Sequence, residues 1–244
     1  MKSKALKKEI PPITEDALFP MRINKYLAWK NISTRRGADS LVADKKVSIN
    51  GKLAVLGSKV SETDKVVIKE EKDPSKIKKF VYFAYNKPVG VETNSPREDL
   101  FPLGRLDKAS HGLLILTNDG RITDRLLNPK YAHEKEYTVQ SKNKLRTSFK
   151  AKMEAGVKIQ TEDGHYLTKP CKVKIIGDFT FRITLTEGKK HQIRRMCDAL
   201  FQEVADLKRE RIMNIKLGTL KVKGIREITS KELVTFLDPM LKSN

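Results

Sequence analysis

Cysteine is scarce in this chain of 244 residues, and histidine is little more frequent. The two cysteines, Cys171 and Cys197, form no CxxC pair, and the four histidines lack the spacing of metal ligands. These absences exclude a disulfide scaffold and a zinc ribbon, and they favour a reducing compartment. We therefore expect a cytoplasmic protein without a metal site.

Long apolar segments are also absent. The first residues, "MKSKALKKEIPPI", contain no apolar core, which excludes a secretory signal. No apolar run approaches the length needed to span a membrane. No basic amphipathic helix with a bulky apolar face is predicted, so a membrane surface is a weak candidate partner.

Acidic residues are too few to balance the basic ones. The chain has 50 Lys and Arg against 30 Asp and Glu, a formal net charge of +20. Such an excess indicates a polyanionic partner, meaning RNA, DNA or an anionic membrane.

Several catalytic signatures are missing as well. The sequence contains no P-loop, no G-x-S-x-G elbow and no dinucleotide fingerprint, and "HEKEY" lacks the second histidine of a zincin. Its carboxylates are scattered singly, whereas two-metal nucleases need clusters. A reaction carried out by side chains alone remains possible.

Composition and periodicity divide the chain into five segments. We predict a basic arm at 1–20, a small domain at 21–68, a charged linker at 69–79, a larger domain at 80–238 and a tail at 239–244. In the small domain, "MRINKYLAWKNI" predicts a helix with Ile23 and Leu27 inward, Thr34 is the expected cap of a second helix, and Asn50-Gly51 predicts a hairpin turn.

The larger domain mixes strands and helices without regular alternation. Strands are predicted for "FVYFAYNKPVG", "GLLILTND", "KEYTVQ", "CKVKII", "FRITLT" and "IMNIKLG", and helices for "GRITDRLLNP", "HQIRRMCDAL" and "SKELVTFL". This pattern indicates an α+β fold with a mixed, largely antiparallel sheet flanked by helices.

Basic side chains are concentrated in the small domain. Arg22, Lys25 and Trp29 are spaced to lie on one helical stripe, and such cations bind phosphates. The alternative is an ordinary solvated surface, with Trp29 packed on a neighbour. The stretch 22–52 resembles the S4 (α-L) RNA-binding domain, through R-x-x-K-Y-L, T-R-R-x-A-D and V-x-I-N-G-K. The resemblance implies RNA contacts from Arg22, Lys25, Arg35, Arg36, Lys46 and Lys52.

One carboxylate in the larger domain has an unusual setting. Asp107 in "GRLDKASHGLLILTNDG" lies between Arg105 and Lys108, just before the apolar run Leu113–Leu116. Neighbouring cations favour the ionised form, which could attack a sugar carbon or take a proton. The alternative is an exposed loop aspartate paired with one of those cations.

This stretch resembles the nucleophile motif of the RsuA/RluB/RluE/RluF-type pseudouridine synthases, which join an S4 domain to a catalytic domain. "NKPVG", "EKEYTV" and "LTEGKKHQIRRMCDAL" match further motifs of that family, in the same order. The resemblance implies that Asp107 acts at the ribose, Tyr137 packs on the uracil and takes the C5 proton, and Arg194 pairs with and orients Asp107. It also implies an apolar wall from Ile193 and an RNA contact from Arg105.

Further residues and partners follow from the same resemblance. Leu106 and Lys108 are expected at the substrate, and contacts with RNA are expected from Lys189, Lys190, His191, Gln192 and Arg195. No cofactor or metal is implied. The RluF-type branch implies a uridine of large-subunit (23S) rRNA as the substrate. The expected partner is RNA rather than DNA or a membrane, and a monomer is expected, although the sequence does not determine the oligomeric state. Two alternatives stay open: 16S rRNA or tRNA as the substrate, or a non-catalytic S4-type assembly factor.

Only thirteen residues, Val91 to Leu103, separate "KPVG" from "GRLD", and this short loop leaves the target uridine undetermined.

Overall fold

A computed structural model describes residues 19–30, 32–33, 35–69 and 80–241. Contacts divide the chain into two units: the larger is Phe80–Phe236, and the smaller groups the residues before Phe80 with Leu237 onward. We call the described residues before Phe80 the N-terminal unit. The predicted basic arm lies almost wholly outside the described residues, as do nearly all of the predicted linker, Thr34 and the end of the predicted tail. The boundaries between the five predicted segments therefore stay predictions.

The N-terminal unit has two helices and short strands. The helices are α1 (Ile23–Trp29) and α2 (Arg35–Ala43), and the strands are β1 (Met21–Arg22), β2 (Val47–Ile49), β3 (Lys52–Leu53), β4 (Lys59–Val60) and β5 (Val66–Ile68). Strand β2 pairs with both β3 and β5, while β1 pairs with β4. The apolar core of this unit contains Ile23, Leu27, Ala38, Val42 and Val60.

The two predicted helices are confirmed, but the first is shorter than expected. Met21 and Arg22 are extended, because their strand pairs with β4 in the register Arg22↔Lys59. Arg22 is thus the residue before the helix, with φ −62° and ψ 141°, rather than part of a helical stripe. The predicted hairpin turn is confirmed, since Asn50 and Gly51 both have positive φ, 50° and 80°.

The second unit is built on a nine-stranded sheet. Its strands are β6 (Tyr82–Lys87), β7 (Phe101–Leu103), β8 (His111–Thr117), β9 (Lys135–Ser141), β12 (Lys172–Gly177), β13 (Thr180–Leu185), β14 (Val204–Ile212), β15 (Ile215–Lys216) and β16 (Ile225–Glu227). The main order is β12-β13-β9-β14-β8-β6-β16, with β7 beside β8 and β15 beside β14. Among the described strands of this sheet, only β14 and β8 pair in parallel. The prediction of a mixed, largely antiparallel sheet is confirmed.

Helices flank this sheet and close its core. They are α3 (Thr123–Leu127), α4 (Phe149–Glu154), α5 (Gln192–Ala199) and α6 (Ser230–Leu241), and a separate hairpin joins β10 (Lys158–Thr161) to β11 (Gly164–Leu167). Helix α5 buries Ile193, Met196 and Cys197, as its periodicity predicts. These side chains pack with Val139 of β9 and Leu207 of β14 in one apolar cluster. Helix α5 is therefore fixed against the centre of the sheet.

Glycine is required where β8 meets β14. Gly112 has φ +102°, and a Cβ there would collide with the backbone oxygen of Arg209 and lie 2.8 Å from its nitrogen. The backbones can approach this closely because position 112 has no side chain. This contact joins the strand that follows the Asp107 loop to the central strand of the sheet.

Several features of the second unit differ from the predictions, which also lack α4, the β10–β11 hairpin and the short strands β7 and β16. The segment "IMNIKLG" is not one strand, because Met213, at φ 51°, begins a turn that pairs Ile212 with Ile215. Strand β14 is absent from the predictions, because its sequence "VADLKRERI" carries charged residues in place of an apolar run.

Candidate active site

The loop that carries Asp107 joins β7 to β8. Thr93 holds this loop at Leu106, where its hydroxyl donates to the backbone oxygen at 2.6 Å and accepts from the backbone nitrogen at 3.0 Å. The Ser110 nitrogen donates to the Asp107 oxygen at 2.9 Å, and the Gly90 nitrogen donates to the Lys108 oxygen at 2.8 Å. Bonds on both sides of Asp107 thus fix the backbone that presents it.

A buried lysine lies beneath the same loop. The ammonium of Lys87 donates to the backbone oxygens of Pro88 at 3.0 Å, Asp107 at 3.3 Å and Ser110 at 2.8 Å. Burial lowers the pKa of Lys87, while the nearby Asp107 charge acts in the opposite direction. The "NKPVG" motif does not predict this role for Lys87, because a lysine gives no sign in sequence of being buried.

The Asp107 carboxylate is about one-third exposed and contacts an imidazole. Its Oδ1 lies 3.3 Å from Nε2 of His191. His191 stands immediately before α5 and has φ +55°, in the left-handed region that a residue other than glycine uncommonly adopts. Asp107 is therefore held by two parts of the fold, its own loop and the start of α5.

Arg194 holds the loop in a different way from the one predicted. Its Nη2 donates to the Ala109 oxygen at 2.9 Å and its Nη1 to the Val204 oxygen at 3.3 Å. Among the described residues no ion pair joins it to Asp107, so the predicted direct pairing is not formed in this structure. The guanidinium is taken up by two backbone carbonyls, and it bridges the Asp107 loop to β14.

A cavity of about 750 Å³ opens beside Asp107 and is lined by residues from β9, β14 and the start of α5. It brings together Asp107, Tyr137 and Ile193, which lie far apart in sequence. Of the predicted site residues, the cavity is lined by Arg105, Leu106, Asp107, Lys108, Tyr137, Lys189, Lys190, His191, Gln192 and Ile193. Arg194 and Arg195 do not line it.

Four cations lie in the cavity lining with exposed side chains, and we call them the rim cations: Arg105, Lys108, Lys189 and Lys190. Lys189 lies 4.7 Å from the centre of the Tyr166 ring, and Lys190 pairs with Glu162. Exposed cations around an opening suit an anionic polymer, because phosphates can reach them without burial.

Gln192 differs from the rim cations. Its side chain is buried, its amide nitrogen donates to Glu187 at 2.7 Å, and its amide oxygen accepts from the Lys189 nitrogen at 2.8 Å. Both ends of the amide are thus engaged within the protein. The predicted RNA contact is not supported for this side chain, which instead shapes the turn before α5.

The predicted RNA contacts of the N-terminal unit are mostly exposed. Arg22, Lys25, Arg35 and Lys52 are exposed, Lys46 is half-buried, and the Arg36 side chain lies outside the described residues. Trp29 packs edge-on against Phe19 at 6.4 Å between ring centres, and Lys30 lies 4.4 Å from the centre of its ring. The packing alternative for Trp29 therefore holds.

Over the described ranges, no three His, Cys, Asp or Glu side chains come together where they could hold a metal ion. Within the same ranges, no helix is both long and apolar enough to cross a membrane.

Comparison with known proteins gives consistent matches. The model of the family described as RNA pseudouridylate synthase matches residues 91–199. The chain is 38% identical to the dual-specificity RNA pseudouridine synthase RluF of Escherichia coli K12, over 88% of this chain and 77% of that protein. It is 32% identical to the ribosomal large subunit pseudouridine synthase B of Bacillus subtilis, over 87% and 93% of the two chains. A crystal structure of a pseudouridylate synthase is similar, with a TM-score of 0.65 and 29% identity, over 88% of this chain and 99% of that one.

Proposed function

Since the chain belongs to the RNA pseudouridine synthase family, we propose that it isomerises uridine to pseudouridine in rRNA of the large ribosomal subunit. The observation that carries this is the meeting of Asp107, Tyr137 and Ile193 in one cavity. The name of the Bacillus subtilis relative supports the large ribosomal subunit as the source of the substrate.

The reaction needs one carboxylate and a closed pocket. The bond between uracil N1 and ribose C1′ breaks, the uracil turns, and C5 bonds to C1′ while C5 loses a proton and N1 gains one. Asp107 assists at the ribose, either by attacking C1′ or by removing the C2′ proton. Tyr137 packs on the uracil and takes the C5 proton, and Ile193 forms an apolar wall of the pocket. No bound cofactor enters this scheme.

The target uridine has to leave its stack before Asp107 can reach the ribose. Extruding a base costs about a few kcal/mol. The exposed Arg105 can offset part of that cost at the position left by the base, and the other rim cations can bind the adjoining phosphates. Arg194 supports catalysis indirectly, because it fixes the loop two residues after Asp107.

The N-terminal unit serves as an S4-type RNA-binding domain in this proposal. Its exposed Arg22, Lys25, Arg35 and Lys52 can bind phosphates, and such contacts do not depend on the nucleotide sequence of the RNA. We keep the predicted boundaries, 21–68 for this domain and 80–238 for the catalytic domain. RNA is the proposed partner, bound by a single copy of the chain.

A second class of RNA substrate has one specific observation in its favour. The Escherichia coli relative, 38% identical, is named as a dual-specificity RNA pseudouridine synthase. This supports testing tRNA beside rRNA. Pseudouridine mapping of both RNA pools, from cells with and without the gene, would identify the modified sites.

Substituting Asp107 by Asn tests the proposed chemistry. We expect Asp107→Asn to abolish tritium release from RNA labelled at uridine C5, because the amide can neither attack C1′ nor accept a proton. RNA binding should remain nearly unchanged, since only one half-buried loop residue changes, by one charge. The measurement is tritium release together with a filter-binding constant.

The matched control is Asp163→Asn. Asp163 is an exposed turn carboxylate that does not line the cavity, and its substitution should leave tritium release intact. Release by Asp107→Asn at the rate of the unmodified protein would overturn the assignment of Asp107.

A further inference from the structure

Two cations at the base of the cavity belong to none of the predicted sets. Lys135, at the start of β9, and Arg209, in β14, both line the cavity. Lys135 precedes Tyr137 by two positions on the same strand, so the two side chains share a face of the sheet. Arg209 lies directly opposite Tyr137 in the antiparallel register, which puts its side chain on that same face. Tyr137 therefore has one basic neighbour along its own strand, Lys135, and one across on β14, Arg209.

The guanidinium of Arg209 is held in a fixed position by burial and hydrogen bonds. Only 3% of its surface is exposed, its Nε donates to the Leu113 oxygen at 2.7 Å, and its Nη1 donates to the Arg105 oxygen at 3.2 Å. Its Nη2 is buried without a hydrogen-bond partner. A buried donor that stays unpaired is costly, so the site favours an acceptor at this place.

Lys135 has little compensation for its charge. Its ammonium makes one long hydrogen bond, 3.4 Å to the His133 oxygen. Burial, with a smaller contribution from the Arg209 charge, lowers the pKa of Lys135 to about 8. Across the strands it faces only apolar partners, Leu185 on β13 and Ile212 on β14.

The carboxylates near these cations are engaged elsewhere. Glu187 accepts hydrogen bonds from Tyr166, Gln192 and the Lys169 nitrogen, and Asp107 contacts His191. Within the described ranges, neither carboxylate pairs with Lys135 or Arg209. The remaining charged groups of the lining are Glu92 and the rim cations, while α3 contributes only leucines. The base of the cavity thus carries uncompensated positive charge.

We propose that Lys135 and Arg209 form an electrostatic site for the negative charge that uracil acquires when its bond to ribose breaks. This inference rests on the proposed function. Whichever way Asp107 assists, the electron pair of the C1′–N1 bond leaves with the uracil and spreads over N1, O2 and O4. The negative charge disappears when an electron pair of the uracil ring forms the new C5–C1′ bond. C5 then releases its proton and N1 takes one up. A fixed positive charge beside the ring lowers the energy of this intermediate.

The position of the pair favours uracil over phosphate as the group it recognises. Both cations lie beside Tyr137, the residue proposed to pack on the uracil, and Arg209 is almost fully buried. Phosphates can be met by the exposed rim cations without entering the cavity. Negative charge at the base of the cavity therefore develops only during the reaction.

The experiment measures single-turnover rates of Lys135→Met, Lys135→Arg and the unmodified protein across pH 6–10. We expect Lys135→Met to slow the reaction by about ten- to a hundredfold at pH 7, with RNA affinity unchanged, because the charge acts on the transition state. The unmodified protein should lose rate as the pH rises through about 8, where Lys135 loses its proton. Lys135→Arg should retain its rate to higher pH, since arginine stays charged.

Lys174→Met is the matched control, because Lys174 is an exposed lysine of the same sheet outside the cavity. Its rate and its pH profile should equal those of the unmodified protein. Thermal unfolding of Lys135→Met excludes a folding defect, and we expect no loss of stability because a poorly compensated buried charge is removed.

Two results would overturn the inference. One is an unchanged rate with unchanged RNA affinity in Lys135→Met, and the other is an unchanged rate with weaker RNA binding, which would assign Lys135 to a phosphate. Failure of the proposed function gives a different result, because the unmodified protein would then form no pseudouridine in any RNA tested.

Discussion

The Asp107 loop depends on a lysine that never reaches the cavity. Lys87 donates to three backbone oxygens, two of which belong to Asp107 and Ser110. It is 1% exposed, so water cannot replace those bonds if the ammonium is removed. Arg194 reinforces the same loop from α5 through the Ala109 oxygen. The position of one carboxylate is thus set by cations that bind backbone rather than the carboxylate itself.

Replacing Lys87 by Met tests this dependence. We expect Lys87→Met to lower the free energy of unfolding by about 2 kcal/mol, because buried carbonyl oxygens lose their donor. Urea unfolding monitored by circular dichroism measures the change. Lys174→Met, which removes an exposed ammonium from the same sheet, should stay within about 0.5 kcal/mol of the unmodified protein. Equal stability of the two variants would contradict the assigned role.

Only the site residues that belong to recognised motifs can be predicted from the sequence. Asp107, Tyr137 and Ile193 were predicted, and the structure brings them into one cavity. Lys87, Lys135 and Arg209 were not assigned, because their burial depends on backbone carbonyls or strands distant in sequence. Arg209, for example, bonds to the carbonyl of Leu113. From sequence alone, a lysine or arginine is predicted to be exposed, because the groups that would accept its hydrogen bonds in the fold are not known.

Among the elements, the strands with regular alternation or apolar runs were predictable. Strand β8 contains Leu113–Leu116, all fully buried, and β9 and β13 follow their predicted segments. Strand β14 lies in the middle of the sheet, yet Lys208, Arg209, Glu210 and Arg211 follow one another in it. Tertiary bonds make these charges compatible with a central strand, and such bonds are invisible to local periodicity.

The approach of β14 to β8 yields a second test of the fold. Gly112→Ala should destabilise the protein by about 3 kcal/mol or more, because the new Cβ meets the Arg209 backbone and φ is +102°. Gly177→Ala is the control, since no atom lies within 4 Å of a Cβ at that position and its φ is not positive. Thermal denaturation compares the two, and a similar melting temperature for both would contradict the described packing.

At the scale of the whole molecule, exposed basic residues occur in both units, whereas the candidate reaction belongs to one. The excess of basic residues gives a formal charge of +20. The candidate reaction needs the cavity of the second unit, whereas exposed cations also cover the N-terminal unit. Binding and chemistry should therefore respond to different substitutions.

A triple substitution in the N-terminal unit tests this separation. We expect Lys25→Ala, Arg35→Ala and Lys52→Ala together to reduce the slope of log affinity against log salt by about 2, because up to three phosphate contacts are lost. The single-turnover rate at saturating RNA should not change. A matched triple of exposed lysines outside the cavity, Lys150, Lys152 and Lys158, should alter the slope less. An equal loss of slope in both triples would mean that the charge acts without regard to position.

The place of β14 in the chain has a consequence for synthesis. This strand lies between β9 and β8 in the sheet, yet it follows both of them in sequence, at Val204–Ile212. The sheet cannot close, and Arg209 cannot meet Leu113, until almost nine-tenths of the chain has been translated. Such non-local pairing slows folding. A nascent chain still attached to a ribosome thus carries residues 19–69 well before the strands that form the cavity are all present.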